Sequence, residues 1–171
     1  MSMQTAAFTL TPKPPFDFDL LLTSLRNSAG TVLEVIGDDD YRRALRLAGR
    51  PALLRVRSTG TLDTPALQVE VTAATVDDAL LAAAQERAAH VFGAAVDAAG
   101  VDAIDDPVFQ AAWQACRGFR PIQVPDLFET IAWAIIGQQI NVTFAAKCKR
   151  GLTTSHGSTL EVEGVPYLLF P

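Results

Sequence analysis

Along residues 67–72 polar and apolar side chains alternate: Leu67, Val69 and Val71 fall on one side, Gln68, Glu70 and Thr72 on the other. A period of two marks a strand with one face in water. The stretches TVLEVIG, YRRALRLAG and ALLRVRSTG read as strands closing on Gly37, Gly49 and Gly60, and their short spacing predicts antiparallel pairing. AAFTLTP is a short strand ended by proline. The period then changes. In FDFDLLLTSLRNS, Phe18, Leu21, Leu22 and Leu25 recur at the spacing of an amphipathic helix. A longer helix is predicted from Thr75 as N-cap, with Asp77 and Asp78 in its first turn, Leu81, Ala84, Ala88 and Phe92 as its buried stripe, and a stop near Gly93. Residues 1–93 therefore predict an α+β unit, an antiparallel sheet with two helices on one face. The run Asp38, Asp39, Asp40 reads as a turn, and the arginines between Arg42 and Arg57 as surface charges on the sheet.

Beyond residue 93 the strand period disappears. Residues 94–120 read as a connector, AAVDAAGVDAIDDP, and a helix, DDPVFQAAWQACRGF, with Asp106 as cap, Pro107 in its first turn and Gly118 past its end. After the linker RPIQVP, residues 121–171 turn helical. PDLFETIAWAIIG opens with Asp126 and Glu129 at capping-box spacing and ends at Gly137. Asn141 is placed to cap the next helix, NVTFAAKCKRGLTTSHG, and STLEVEGVPYLLFP predicts a hairpin turning at Glu163 and Gly164. Between the two apolar helices lies a corner, GQQIN, that carries two adjacent amides. Such a corner is either hydrated or a probe that enters something polar and stacked.

Composition changes this picture in two places. The 171 residues are 49% hydrophobic, enough for a real core. Net charge is −5, against a polyanionic partner if taken whole, but its distribution is uneven. Residues 61–106 hold nine acids and one base, whereas residues 110–151 hold five bases against Asp126 and Glu129. A polyanion is repelled by the first region and drawn to the second. Cys116 and Cys148 lack a CxxC partner, and with His90 and His156 they make no metal-ligand pattern; they read as reduced thiols of a cytoplasmic chain. The N-terminus has no signal-peptide pattern, and no apolar run approaches the ~20 residues that span a bilayer. Residues 1–93 contain no nucleophile–base pair and no phosphate-cradling glycine loop. No metal or cofactor is expected.

The segment PDLFETIAWAIIGQQINVTFAAK resembles the start of the helix-hairpin-helix domain of the 3-methyladenine DNA glycosylase II (AlkA) family. LTPKPPFDFDLLLTSLRNSAG looks like that family's N-terminal strand and helix, and the following strands and helix match its N-terminal domain in order and length. The resemblance implies base excision: an alkylated base is flipped out of double-stranded DNA and its N-glycosidic bond is hydrolysed. It places Gln139 at the wedge that fills the vacated stack, with Gln138, Ile140 and Asn141 bordering the same site. Lys147 or Lys149 is then expected to meet phosphate. Ser24 stands where the family can carry an aromatic residue. The sequence holds no hairpin of the leucine/phenylalanine-proline-glycine-isoleucine-glycine type and no following segment to supply the family's catalytic aspartate. The expectation is thus an N-terminal portion of a glycosylase, without a catalytic residue and inactive alone. The alternative is a non-catalytic DNA-binding or protein-interaction module of the same descent. The apolar faces of the helix from Asp126 to Gly137 predict self-association.

Overall fold

The computed structural model describes residues 3–171, the side chains of residues 99 and 102 excepted. Two residues of the N-terminal stretch searched for a targeting signal lie outside that range. Five strands form one antiparallel sheet: β1 (Gln4–Leu10), β2 (Val35–Ile36), β3 (Asp40–Leu47), β4 (Arg50–Ser58) and β5 (Leu67–Ala73), in the order β1-β5-β4-β3-β2. Helices α1 (Phe18–Arg26) and α2 (Asp78–Val91) lie on one face. The fold is α+β, as the two periods predict.

Alternation decides which side chains meet these helices. Tyr41, Val56, Val69 and Val71 point inward with Leu54 and pack on Leu21, Leu22 and Leu25 of α1 and on Leu80, Ala84 and Ala88 of α2. Leu22 and Leu80 are fully buried, and burying a leucine contributes roughly 1.5–3 kcal/mol. The four apolar positions of α1 read from the sequence are its four buried residues.

Helix α2 begins later than expected. Asp77, not Thr75, is the N-cap, its carboxylate accepting from the Leu80 N–H at 2.9 Å. The same carboxylate receives both Arg50 Nη atoms, at 2.9 and 2.6 Å. One acid thus closes the helix and holds β4, which a threonine hydroxyl cannot do. The hydrogen bonds from Arg50 hold the Asp77 pKa down to about 2. The buried stripe accordingly runs through Leu80 rather than Leu81 and reaches Val91.

Three other expectations change. TVLEVIG contributes only the two residues of β2, because the Glu34 carboxylate turns back to accept from the Val32 and Leu33 N–H groups at 3.1 Å each. Asp40 is not a turn residue but the first of β3, fully buried and held by Arg42 Nε at 3.0 Å and Arg55 Nε at 2.5 Å. Burial pushes the Asp40 carboxyl up, and the Arg42 and Arg55 guanidiniums bring it below its ordinary value. Arg43 is no surface charge, since it shares the inward face of β3 with Tyr41 and Leu45 and is buried.

The outer face of the sheet is partly covered as well. The hairpin of β6 (Ser158–Val162) and β7 (Val165–Leu169) lays Val162, Tyr167 and Leu169 on Ala44 and Leu53. Its turn carries Glu163 at φ 53° and Gly164 at φ 78°, the two positive values a two-residue hairpin turn requires.

The connector contains one short helix, α3 (Ala99–Asp102), before α4 (Pro107–Ala115), whose first N–H groups are capped by Asp106. Buried Arg120 then fastens the chain. It donates to the carbonyls of Gly93 at 2.9 Å, Lys13 at 2.5 Å and Pro15 at 3.2 Å and lies over the Phe16 ring. The last helices, α5 (Leu127–Ile136) and α6 (Val142–His156), start from this anchored linker.

Candidate nucleic-acid interface

Helix α5 starts because Asp126 accepts from the Glu129 N–H at 2.8 Å. The reciprocal arm of the capping box does not form. Glu129 is 1% exposed and turns to the sheet, where both its oxygens receive Arg43 Nη2, at 2.6 and 2.5 Å. Lys149 Nζ reaches the same carboxylate at 2.7 Å from α6. Arg43 also pairs with Glu34. Two acids and two bases thus join β3, the segment before β2, α5 and α6 in one buried network. Its members compensate one another, as buried charges must. Burial pushes the Glu34 carboxyl up, but Arg43 and Lys149 outweigh this and hold it below 4.5.

That sign fixes a pH dependence. A carboxyl depressed in the folded state stabilises the fold above its ordinary pKa, and this stabilisation is lost as pH falls. Glu34 and Asp40 are both depressed, from 4.5 and 3.8. Urea midpoints should hold steady from pH 7 to about 5 and then decline toward pH 3. Glu34→Gln should have a lower midpoint at pH 7 and a shallower decline; an identical decline in that variant would remove Glu34 from the network.

The corner lies at the other end of α5. Gly137 closes the helix, its N–H donating to the Trp133 carbonyl at 2.9 Å, and the Gln138 N–H reaches the Ile135 carbonyl at 3.3 Å. Gln139 follows with φ 59°, a left-handed conformation that costs a residue with a Cβ about 1–2 kcal/mol. Strain of this kind clusters at functional sites. Gln138, Gln139, Ile140 and Asn141 are all exposed and contiguous. The Asn141 side chain accepts from the Phe144 N–H at 2.8 Å and so caps α6. Lys147 is exposed on α6, whereas Lys149 is buried and unable to meet a ligand's phosphate.

A cleft of about 250 Å³ opens beside the network. Glu34, Arg43, Glu129 and Lys149 line it together with Trp133, Val142, Ser28 and Thr31. Lys149 Nζ stands 5.2 Å from the Trp133 ring centroid, within cation–π range. The sequence reading missed Arg43, Glu34 and Trp133. One signal was available: Arg43 occupies the inward phase of a strand whose other inward residues are Tyr41, Leu45 and Leu47.

The outer side of α5 stays uncovered. Leu127 is 73% exposed, Phe128 59%, Ile131 48% and Ile135 62%, with Val142 and Phe144 about half exposed. Among the described residues no group of His, Cys, Asp and Glu is placed to hold a metal ion, and no helix is long and apolar enough to cross a membrane.

Residues 7–126 match the AlkA N-terminal domain family. A DNA-3-methyladenine glycosylase of Bacillus subtilis is 38% identical over 66 residues, 39% of this chain and 22% of the relative. The fold superposes on a 3-methyladenine DNA-glycosylase from Archaeoglobus fulgidus with a TM-score of 0.79 at 20% identity, covering 96% of this chain and 56% of that one. It also superposes on the Clostridium acetobutylicum 8-oxoguanine glycosylase/lyase in complex with double-stranded DNA containing cytosine opposite 8-oxoguanine, with a TM-score of 0.64 at 15% identity, covering 100% of this chain and 54% of that one. The chain thus spans just over half the length of these solved glycosylases.

Proposed function

This chain belongs to the AlkA N-terminal domain family, and from that premise we propose that it is the DNA-engaging front part of a base-excision glycosylase acting on alkylated bases. The observation that carries the reading is Gln139: exposed, held at φ 59°, and set between two helices tied to the sheet by buried charges. Extruding a base costs a few kcal/mol of unstacking, less for damaged bases. A side chain inserted into the vacated stack offsets part of that cost. Gln139 is long and flat, and its amide can both donate to and accept from base edges. Gln138, Ile140 and Asn141 border the insertion, and Lys147 supplies a cation one and a half turns into α6. The partner is double-stranded DNA carrying an alkylated base.

The carboxylates at the start of α5 and in the buried network already have structural partners. Asp126 caps α5, and Glu129 and Glu34 are held by Arg43 and Lys149. The negative charge that stabilises an oxocarbenium-like transition state therefore lies, in this reading, outside these 171 residues. The purified chain should bind alkylated duplex and release no free base. Release of 3-methyladenine, abolished by replacing one acid within the chain, would overturn this assignment.

The exposed Leu127–Phe128–Ile131–Ile135 surface favours a second reading, an interaction module, because contiguous apolar faces of this kind mark association surfaces. The isolated chain is expected to self-associate in sedimentation at high concentration, and Ile135→Lys to reduce the association. A single sharp monomer peak for the parent chain would count against it.

A further inference from the structure

Residues 127–157 contain one acid and three bases. That acid is Glu129, buried and held by Arg43 and Lys149, so Lys149 and Glu129 are withdrawn from the surface together. What remains outside is cationic. Lys147 and Arg150 are exposed on α6, and neither forms an ion pair among the described residues. Arg42, Arg43, Arg50, Arg55, Arg57 and Arg117, by contrast, all pair with carboxylates. A chain of net charge −5 thus leaves residues 127–157 with no exposed acid and two unpaired cations, the exposed Asp126 standing at the far end of α5 from the corner.

Their placement is regular. Thr143, Lys147, Arg150 and Thr154 recur at i, i+4, i+7 and i+11, one stripe of α6, all exposed. Thr154 donates its hydroxyl to the Arg150 carbonyl at 2.9 Å and is part of the helix's own bonding. The stripe starts at the corner, at the helix end capped by Asn141. From Asn141 to Arg150 the axis rises ~13 Å, the length of about four base-pair steps measured along a duplex axis.

We infer that Lys147 and Arg150 form a track for the phosphate backbone of a DNA duplex, leading away from the Gln139 corner along α6. The inference rests on the corner reading above. Its chemistry is charge complementarity. Arg150 presents a planar fork suited to two phosphate oxygens, and Lys147 a compact point charge. Because backbone contacts carry no sequence information, the track strengthens binding to damaged and undamaged duplex alike, whereas the wedge acts on the lesion.

The test is fluorescence anisotropy with the full chain and two duplexes, one plain and one with an abasic analogue, over a salt series. Arg150→Ala and Lys147→Ala should each weaken both duplexes by about three- to tenfold and flatten the slope of log K against log salt by about 0.9. Arg150→Lys should restore the slope. Arg87→Ala on α2 should change neither. Far-UV circular dichroism confirms that these surface variants keep the fold. Unchanged affinity and slope in both alanine variants, with the parent chain binding and Gln139→Ala losing lesion affinity, overturns the track and leaves the corner reading standing. A flattened slope with Gln139→Ala harmless keeps the track and removes the wedge. No duplex binding by the parent chain overturns both, and equal or stronger retention on anionic lipid vesicles replaces the duplex as partner.

Discussion

Glu129→Ala should destabilise the chain by about 3–5 kcal/mol, the usual cost of removing one partner from a buried ionic cluster. The reason lies in what stays behind. Arg43 is 2% exposed and would keep only Glu34, while Lys149, 5% exposed, would keep the Trp133 and Phe170 rings and no direct ion pair, only the more distant charge of Glu34. Both cations line the cleft beside Trp133 but expose little of their surface to water. The Arg43 Nε already lacks a hydrogen-bond partner, so the cluster has no spare acceptor. Glu129→Gln should cost less, because an amide oxygen still accepts one of the hydrogen bonds. Urea denaturation of the three proteins at pH 7 measures this directly. An alanine variant within about 1 kcal/mol of the parent would show that the network does not hold α5 and α6 to the sheet.

The second large effect concerns binding. Gln139→Ala should lower affinity for duplex with a damaged or abasic site by about tenfold, on the order of 1–2 kcal/mol. This is less than a full unstacking step because phosphate contacts remain. The loss on undamaged duplex should be smaller. Gln139→Gly sharpens the test. At φ 59° only a residue with a Cβ is strained, so the glycine variant should be about 1 kcal/mol more stable than the alanine variant. Both should nevertheless lose lesion affinity equally. If instead lesion affinity follows stability across the two variants, the side chain has no wedge role and the corner matters only through its backbone.

Local patterns were legible where one element's own residues decide them. The alternation of β5, the stripe of α1, the caps Asp106, Asp126 and Asn141, and the positive-φ turn at Glu163–Gly164 all follow from near neighbours. The departures share a different cause. Glu129 left its capping box for Arg43, 86 positions away. Glu34 left a strand pattern for the same guanidinium, and Asp77 took the cap from Thr75 because Arg50 was also within reach. A charged side chain with two available roles is settled by a tertiary partner, which spacing along the chain does not reveal. Of the candidate site, the exposed corner was legible as a break between two helices. The burial of Lys149 was not, since Lys147 and Lys149 look alike until α6 is packed. The inward phase of Arg43 was readable from the alternation of β3, and an arginine in that phase requires a buried counter-ion.

The central claim is that the corner, rather than the sheet face or the cleft beside Trp133, meets damaged DNA. Amide hydrogen exchange of the 171-residue chain, with and without a duplex containing an abasic analogue, tests it most directly. Protection is expected in residues 137–144 and along the first turns of α6, absent from β3 and β4, and weakened at the corner in Gln139→Ala. Protection centred on β3 and β4 or on the Ser28–Thr31 side of the cleft, with residues 137–144 unchanged, would contradict it.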